Sequence, residues 1–139
     1  MIEVKKTPID SEGYEELKAQ DFFQTKDFAK MLDDVCHMEN VELYLAVSDK
    51  IYGFLLISMA TKDAVSILNL SISADFGQED VRKALLDYVL EDKKPKALVG
   101  EVTEDCIDFY EKYGFYVTEI GENLPGKEAY YVTYRNVKR

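Results

Sequence analysis

Thiol and imidazole side chains, which supply nucleophiles and metal ligands in many enzymes, are scarce in this sequence. The 139 residues include two cysteines, Cys36 and Cys106, and one histidine, His37. The cysteines are far apart and neither belongs to a CxxC pair, so neither a zinc site nor a disulfide framework is expected. Because adjacent helical residues point in different directions, Cys36 and His37 do not form a nucleophile–base pair. We therefore expect two reduced, partly buried thiols and no metal site.

The net charge of the chain limits the classes of partner that it is expected to bind. The sequence carries 27 acidic and 17 basic residues, which gives a formal net charge of -10. Binding of nucleic acid needs clustered Lys and Arg to neutralise phosphates, so nucleic acid is not an expected partner. The one dense basic cluster, Lys93-Lys94-Pro95-Lys96, is interpreted as a solvated turn between a helix and a strand.

Hydrophobic run lengths indicate a globular protein without a membrane segment. No apolar run approaches the roughly 18 residues that a membrane-spanning helix needs, and runs such as residues 54–57 have the length of a strand. The first ten residues, MIEVKKTPID, lack the apolar segment of a signal peptide. We therefore expect a cytoplasmic protein without membrane contact, folded as a single domain over residues 1–139.

The amino-terminal part predicts one strand and two helices. Residues 2–5 alternate as a strand, and residues 11–38 have the apolar periodicity of helices, with Thr25 as the N-cap of the second helix. The apolar residues of that second helix recur at spacings of three and four, and they are Phe28, Met31, Leu32, Val35 and Met38.

Three strands are predicted next, at residues 41–47, 52–59 and 66–74, and residues 48–50 form a hairpin turn between the first two. Alternation in the third strand predicts an apolar face of Leu68, Leu70, Ile72 and Ala74. Its other face is polar and consists of Asn69, Ser71 and Ser73.

The carboxyl-terminal part predicts a helix at residues 78–91, a strand at 96–102, a helix ending at Tyr113, and strands at 115–120 and 129–135. Thr103 has the residue type of an N-cap for the second of these helices, and Gly114 that of a left-handed C-cap. The resulting order is β-α-α-β-β-β-α-β-α-β-β. Its β-α-β crossover requires two parallel strands with a helix packed across them.

This order and two segments resemble the GNAT superfamily of N-acetyltransferases over nearly the whole chain. The segment CIDFYEKYGF at residues 106–115 is similar to the family's A-x-x-F-Y-x-K-x-G-F. Residues 70–86 are similar to the family's strand, phosphate loop and helix, V-x-P-x-x-[RQ]-G-x-G-x-[GA]-x-x-L-L, but they depart from it within the loop. The resemblance implies an α+β fold with a mixed central sheet of about six to seven strands and about four helices.

The resemblance also implies acetyl-CoA as a cosubstrate, its pyrophosphate held by backbone N–H groups at the start of the helix near residue 78. In register, the family's [RQ]-G-x-G-x-[GA] falls on GQEDVR at residues 77–82. Glu79 and Asp80 place two carboxylates at the pyrophosphate position, and alternatively they only cap their own helix. The implied coenzyme-binding residues are Leu70, Ser71, Ile72, Gly77, Gln78, Val81, Arg82 and Lys83.

Acyl transfer needs a neutral amine, N–H donors for the oxyanion and a proton for the departing thiolate. By resemblance, residues 70–72 splay from the strand at 96–102, and the pantetheine arm lies in the gap. By the same resemblance, Tyr110 matches the family's general acid. A phenol with an ordinary pKa of about 10 can return a proton to a thiolate. The alternative for Tyr110 is an aromatic residue packed in the core. Glu101 is the possible general base, and the alternative is a solvated charge at the end of a strand.

Two functional hypotheses follow. The first is an N-acetyltransferase that transfers an acetyl group from acetyl-CoA to an amine of a small molecule or protein. The second is a catalytically inactive binding or interaction module with the GNAT fold, in which Glu79 and Asp80 close the pyrophosphate site. The family's final strands often pair subunits, so a homodimer is a further expectation from the resemblance.

Overall fold

The computed structural model describes residues 2–20, 28–59, 63–73, 78–103, 106–124 and 127–136. The helices in this part of the chain are α1 (Glu12–Gln20), α2 (Phe28–Cys36), α3 (Gln78–Lys93) and α4 (Ile107–Tyr113). The strands are β1 (Glu3–Thr7), β2 (Val41–Val47), β3 (Ile51–Ser58), β4 (Ala64–Ile72), β5 (Ala97–Thr103), β6 (Tyr116–Leu124) and β7 (Lys127–Arg135). The predicted element order is confirmed.

The strands form one mixed sheet in the order β1-β2-β3-β4-β5-β7-β6. Neighbouring strands are antiparallel except for β4 and β5, which are parallel and are joined through α3. A parallel pair needs such a crossover, because a short turn cannot return the chain to the same end of the sheet. The predicted α+β fold with a seven-stranded sheet and four helices is thereby confirmed.

Each face of the sheet buries a separate apolar cluster. On one face α3 and α4 pack against β2 to β5 and β7, and α3 contributes Val81, Leu85, Leu86 and Val89, all fully buried. On the other face α1 and α2 pack against β2 and β3 through Tyr14, Leu17, Leu32 and Cys36. In the described part of the chain this second cluster draws on no strand beyond β3. On this second face, the described helices therefore cover the half of the sheet that contains β2 and β3 and not the other half.

The predicted apolar face of β4 is wrong at Leu68. The pairing with β3 shifts between Leu56 and Ile57, so that Leu56 pairs with Asn69 while Ile57 pairs with Ile67. Leu68 is the extra residue of a β-bulge and is 44% exposed. Val65 and Ile67 before the bulge, and Leu70 and Ile72 after it, all pack toward the α3–α4 cluster. The bulge thus reverses the alternation of side chains halfway along the strand.

The predictions for the helix ends have mixed outcomes. The prediction that Thr103 caps α4 is wrong, because β5 continues through Thr103 and the N-cap position is held by Cys106 without a side-chain capping bond. Thr25 lies outside the described residues. Met38 is 61% exposed and does not continue the buried face of α2, because that helix ends at Cys36.

The predicted C-cap of α4 is confirmed. Gly114 has φ 121°, and its N–H donates to the carbonyls of Tyr110 and Glu111 at 3.2 and 3.1 Å. The N–H of Phe115 also donates to the Tyr110 carbonyl at 2.9 Å. These bonds close the last helical turn and direct the chain into β6. None of the helices in the described ranges is long and apolar enough to span a membrane.

Replacing Gly114 by Ala should lower the free energy of unfolding by about 1–3 kcal/mol, because a side chain is strained at positive φ. The added Cβ would also lie 3.2 Å from Cε2 of Tyr134. Urea unfolding measures the loss. The matched control is Glu111→Ala, an exposed residue of the same turn, which should change stability by less than about 0.5 kcal/mol. Equal stability of the two variants would contradict the assigned cap.

Candidate active site

The parallel ladder between β4 and β5 ends before either strand does. It pairs Ala64, Val65, Ser66 and Ile67 with Ala97, Leu98, Val99 and Gly100. Beyond this ladder, β4 continues to Ile72 beside β3, and β5 continues to Thr103 beside β7. Residues 68–72 and 101–103 therefore lie on the two sides of an opening within the sheet, which we call the gap.

The bulge at Leu68 explains why the strands separate at this point. A bulge bends its strand and increases the local twist, and here it follows directly on Ile67, the last residue of the ladder with β5. Gly100 is the partner of Ile67, and a Cβ at Gly100 would lie only 3.3 Å from the Ile67 Cβ. The strands are thus in close contact at the last pair and diverge after it. The end of the pairing at Ile67 and Gly100 agrees with the splay that the family resemblance implied.

Different side chains border the gap on the two faces of the sheet. On the face of α3 and α4, Leu70 and Ile72 of β4 and Val102 of β5 are partly buried against the core. On the opposite face, the Ser71 hydroxyl donates to Oδ1 of Asn69 at 2.6 Å. One side of the gap is therefore apolar and the other is polar.

Tyr110 belongs to the same apolar cluster as these border residues and is 4% exposed. Its ring packs edge-on against Phe109 and Phe115, with centroid distances of 5.3 and 5.0 Å. None of the hydrogen bonds found among the described residues involves its hydroxyl. Burial raises the pKa of Tyr110 to about 12, with Cys106 adding to the rise and Arg82 opposing it. Tyr110 is therefore both a packed aromatic and a protonated donor at neutral pH.

Three side chains of α3 that were predicted to bind coenzyme each pack against or pair with another side chain of the protein. Val81 is fully buried. The Arg82 guanidinium lies 5.6 Å from the centroid of the Phe109 ring, at cation–π distance. Lys83 forms an ion pair of 2.7 Å with Asp87, one turn further along the helix. Gln78 begins α3, and Gly77 lies outside the described residues.

The start of α3 opens onto a groove between α3 and α4 of about 370 Å³. Its charged lining comprises Glu79, Asp80 and Asp87 together with Lys83 and Lys112. Glu79 and Asp80 are exposed and, among the described residues, accept no capping bond from the N–H groups of α3. The carboxylates therefore occupy the first helical turn as predicted, but they are not folded onto its N–H groups.

Glu101 is exposed at the gap end of β5, directly opposite Tyr131 of β7. Its neighbour Val102 faces the core, so Glu101 points to the other face of the sheet. The solvated environment given above as the alternative for this carboxylate is observed, because α1 and α2 cover β2 and β3 and do not reach it in the described residues. Glu101 is a solvated side chain beside the gap.

Cys36 and His37 do not form a nucleophile pair, as predicted. Cys36 is buried in the α1–α2 cluster, where burial raises the pKa of its thiol to about 11. His37 is exposed at the end of α2, with Nδ1 2.7 Å from the Asp33 carbonyl and Nε2 3.3 Å from Asp10. Both partners are acceptors, and the Asp33 contact followed by that to Asp10 raises the pKa of His37. The histidine thus links α2 to the turn after β1.

Comparison with solved structures identifies this arrangement. An aminoglycoside 6'-N-acetyltransferase from Enterococcus faecium has a TM-score of 0.80, with 12% identity over 99% of this chain and 98% of that chain. The chain has the GNAT fold. A GNAT family acetyltransferase from Elizabethkingia anophelis with acetyl-CoA bound has a TM-score of 0.68, with 22% identity over 96% of this chain and 97% of that chain.

A further structure with the GNAT fold, the ribosomal-protein-S18-alanine N-acetyltransferase from Escherichia coli, has a TM-score of 0.76, with 14% identity over 100% of this chain and 96% of that chain. No protein-family model matches the sequence, and comparison with curated proteins finds no match. At these identities the similarity shows the fold, and the function depends on the residues at the gap.

Deleting Leu68 should remove the bulge and extend the β4–β5 ladder, because the remaining residues then alternate regularly and keep Ile67, Leu70 and Ile72 on the core face. Each new backbone hydrogen bond contributes about 1 kcal/mol, so amide exchange in residues 101–103 should slow by about fivefold or more. Hydrogen exchange followed by NMR measures this effect. Leu68→Ala keeps the bulge and should exchange like the wild type. A folded deletion variant with unchanged exchange would show that the bulge does not hold the gap open.

Proposed function

We propose that this protein is an N-acetyltransferase that transfers an acetyl group from acetyl-CoA to an amine of a small molecule or protein. The observation that carries the proposal is the gap between β4 and β5, which opens at the bulge and is bordered by the core cluster containing Tyr110. Structures with the same fold include an acetyltransferase with acetyl-CoA bound and an aminoglycoside acetyltransferase complexed with coenzyme A.

The gap suits the pantetheine arm of the coenzyme. The strand edges of residues 68–72 and 101–103 do not pair with each other, and backbone polar groups inside a protein need a partner. An extended arm with amide groups can accept and donate hydrogen bonds as a missing strand would. We assign this contact to Leu70, Ser71 and Ile72 on β4.

The phosphate end of the coenzyme fits this chain less well. The first N–H groups of α3 lack partners within the helix and favour an anion. Glu79 and Asp80 oppose that attraction, while Arg82 stacks on Phe109 and Lys83 pairs with Asp87. Binding of the pyrophosphate at residues 77–83 therefore requires Lys83 to leave its partner or the backbone to supply most of the contacts.

The chemistry assigns one role to each face of the gap. Acetyl-CoA supplies an activated acyl group on a thioester sulfur. Tyr110 donates a proton to the departing sulfur, since its raised pKa of about 12 keeps the phenol protonated through the neutral range. Glu101, solvated on the opposite face, attracts the acceptor's ammonium group and accepts its proton. Solvent access at Glu101 also allows a water molecule to relay that proton.

The inactive-module hypothesis is not supported. It requires carboxylates that occupy the N–H groups of α3, and Glu79 and Asp80 make no such bond among the described residues. Both side chains are exposed and can be screened by solvent and ions. They are expected to weaken coenzyme binding without blocking it.

Removing the Tyr110 hydroxyl should lower kcat by about a hundredfold in Tyr110→Phe while leaving acetyl-CoA affinity unchanged, because general acid catalysis typically supplies this factor. Stopped-time assays of acetyl transfer to a panel of amines and peptides measure the rate. Tyr88→Phe, on the exposed side of α3, is the control and should keep wild-type turnover. Full activity in Tyr110→Phe would exclude it as the proton donor, and no transfer by the wild type to any amine would contradict the proposed function.

Neutralising both first-turn carboxylates in Glu79→Gln/Asp80→Asn should tighten acetyl-CoA binding by about tenfold at low salt, because two like-charge contacts are removed at an exposed site. The gain should shrink as salt increases. Calorimetry of wild type and variant gives the dissociation constants. Glu16→Gln/Glu39→Gln, which removes two distant exposed charges, should have no comparable effect. Identical affinities for wild type and the α3 variant would show that these carboxylates do not face the coenzyme.

A further inference from the structure

A second groove lies at the end of β5 away from the gap. We call it the basic groove; it has a volume of about 630 Å³ and is lined by Lys94, Pro95, Lys96, Ala97, Thr133 and Arg135, with Asn136. Three of these residues are cations and none is a carboxylate, in a chain whose formal net charge is -10. By contrast, the groove between α3 and α4 has three carboxylates and two lysines. The basic groove is thus the better anion site of the two.

The cations of the basic groove are available to a ligand. Lys94 and Arg135 are exposed and have no acidic partner among the described residues. Lys96 lies 3.6 Å from Asp63, but both side chains are largely exposed, and such pairs contribute little. Arg135 adds a planar guanidinium that can donate two parallel hydrogen bonds to a carboxylate or phosphate.

Backbone hydrogen bonds hold the walls of the basic groove in place. The carbonyl of Asp63 accepts from the N–H groups of both Lys96 and Ala97, at 2.9 and 3.0 Å. Asn136 donates from its backbone N–H to the Lys96 carbonyl at 2.8 Å and from its side chain to the Pro95 carbonyl at 3.0 Å. The backbone of the turn after α3 is therefore tied to the residues that flank β4 and β7, which fixes the positions from which its lysine side chains extend.

The Arg135 wall of the basic groove and Glu101 at the end of the gap lie on one face of the sheet. Ala97 pairs with Arg135 and Glu101 pairs with Tyr131, and side chains two and four residues apart on a strand share a face. Four residues of β5 separate the two pairs, which corresponds to about 13 Å. Tyr131 is 38% exposed between them, and in the described residues α1 and α2 cover only β2 and β3. Among the described residues, a strip without helix cover thus connects Arg135 of the basic groove at one end with Glu101 at the other.

We propose that the basic groove binds the acidic segment of a peptide acceptor whose amino terminus lies at Glu101 beside the gap. This inference rests on the proposed function and adds the class of acceptor. The peptide's ammonium group contacts Glu101 and Tyr131, and an extended chain of about four residues spans the 13 Å to Arg135 at the near wall of the basic groove. Acidic side chains near the fourth and fifth residues then meet the groove, and a basic residue there is repelled.

Peptide binding in the absence of acetyl-CoA tests the groove without requiring catalysis. The probes are carboxyl-terminally labelled decapeptides with a free amino terminus and Glu at residues four and five, or Gln or Lys at the same positions. Fluorescence anisotropy should show that the wild type binds the Glu peptide about tenfold more tightly than the Gln peptide, and that the difference decreases with salt.

Lys94→Gln/Arg135→Gln should bind the Glu and Gln peptides equally, while the control Lys5→Gln/Lys30→Gln, which has the same net charge, should keep the tenfold preference. Lys94→Glu/Arg135→Glu should prefer the Lys peptide. Unfolding midpoints equal to that of the wild type verify that each variant is folded. Lys94 has φ 47°, and Gln or Glu meets the same backbone constraint there as Lys does.

Equal binding of the Glu and Gln peptides by the wild type, or an unchanged preference in Lys94→Gln/Arg135→Gln, would overturn the proposal. Inorganic pyrophosphate that binds the groove while the peptides do not would also overturn it in favour of a small anion. Acetyl transfer is then assayed separately on the Glu peptide. Charge-dependent binding without transfer to any acceptor would support the groove and contradict the proposed function, so the two failures are distinguishable.

Discussion

The β-bulge at Leu68 is the constraint on which the site depends. One extra residue in β4 shifts its pairing with β3 and bends the strand where the ladder with β5 stops. The same residue reverses the alternation of side chains, so that Ile67 and Leu70 both reach the core although they are three positions apart. The gap therefore forms without loss of core packing, because the bulged residue itself is the exposed one.

The bulge also separates the two halves of the proposed chemistry. On the α3–α4 face the gap meets a dry cluster, and burial keeps the phenol of Tyr110 protonated. On the opposite face α1 and α2 stop at β3 in the described residues, so β5 and β7 present an open strip with Glu101 at one end and Arg135 at the other. A proton donor is thus shielded from water, while a charged acceptor can approach without losing all of its solvation.

Local sequence patterns predicted the elements but not the details that make the site. The element order followed from apolar periodicity. The Gly114 cap followed from the glycine itself, because glycine is the residue type favoured at a left-handed helix C-cap. The bulge was missed because continuous alternation was assumed, although the adjacent apolar pair Ile67-Leu68 is a local sign of a shift in phase. The basic groove was missed because Lys94 and Arg135 are brought together only by the β5–β7 register. A turn rich in lysine was therefore interpreted as solvated.

Calorimetric titration of acetyl-CoA into the wild type and the Leu68 deletion variant, at moderate salt, tests most directly whether the gap is a coenzyme site. The account predicts that the wild type binds with a dissociation constant below about 0.1 mM, and that the folded deletion variant binds at least about tenfold more weakly because its strands have closed. No heat from the wild type at millimolar ligand, or equal affinity in the two proteins, would contradict it.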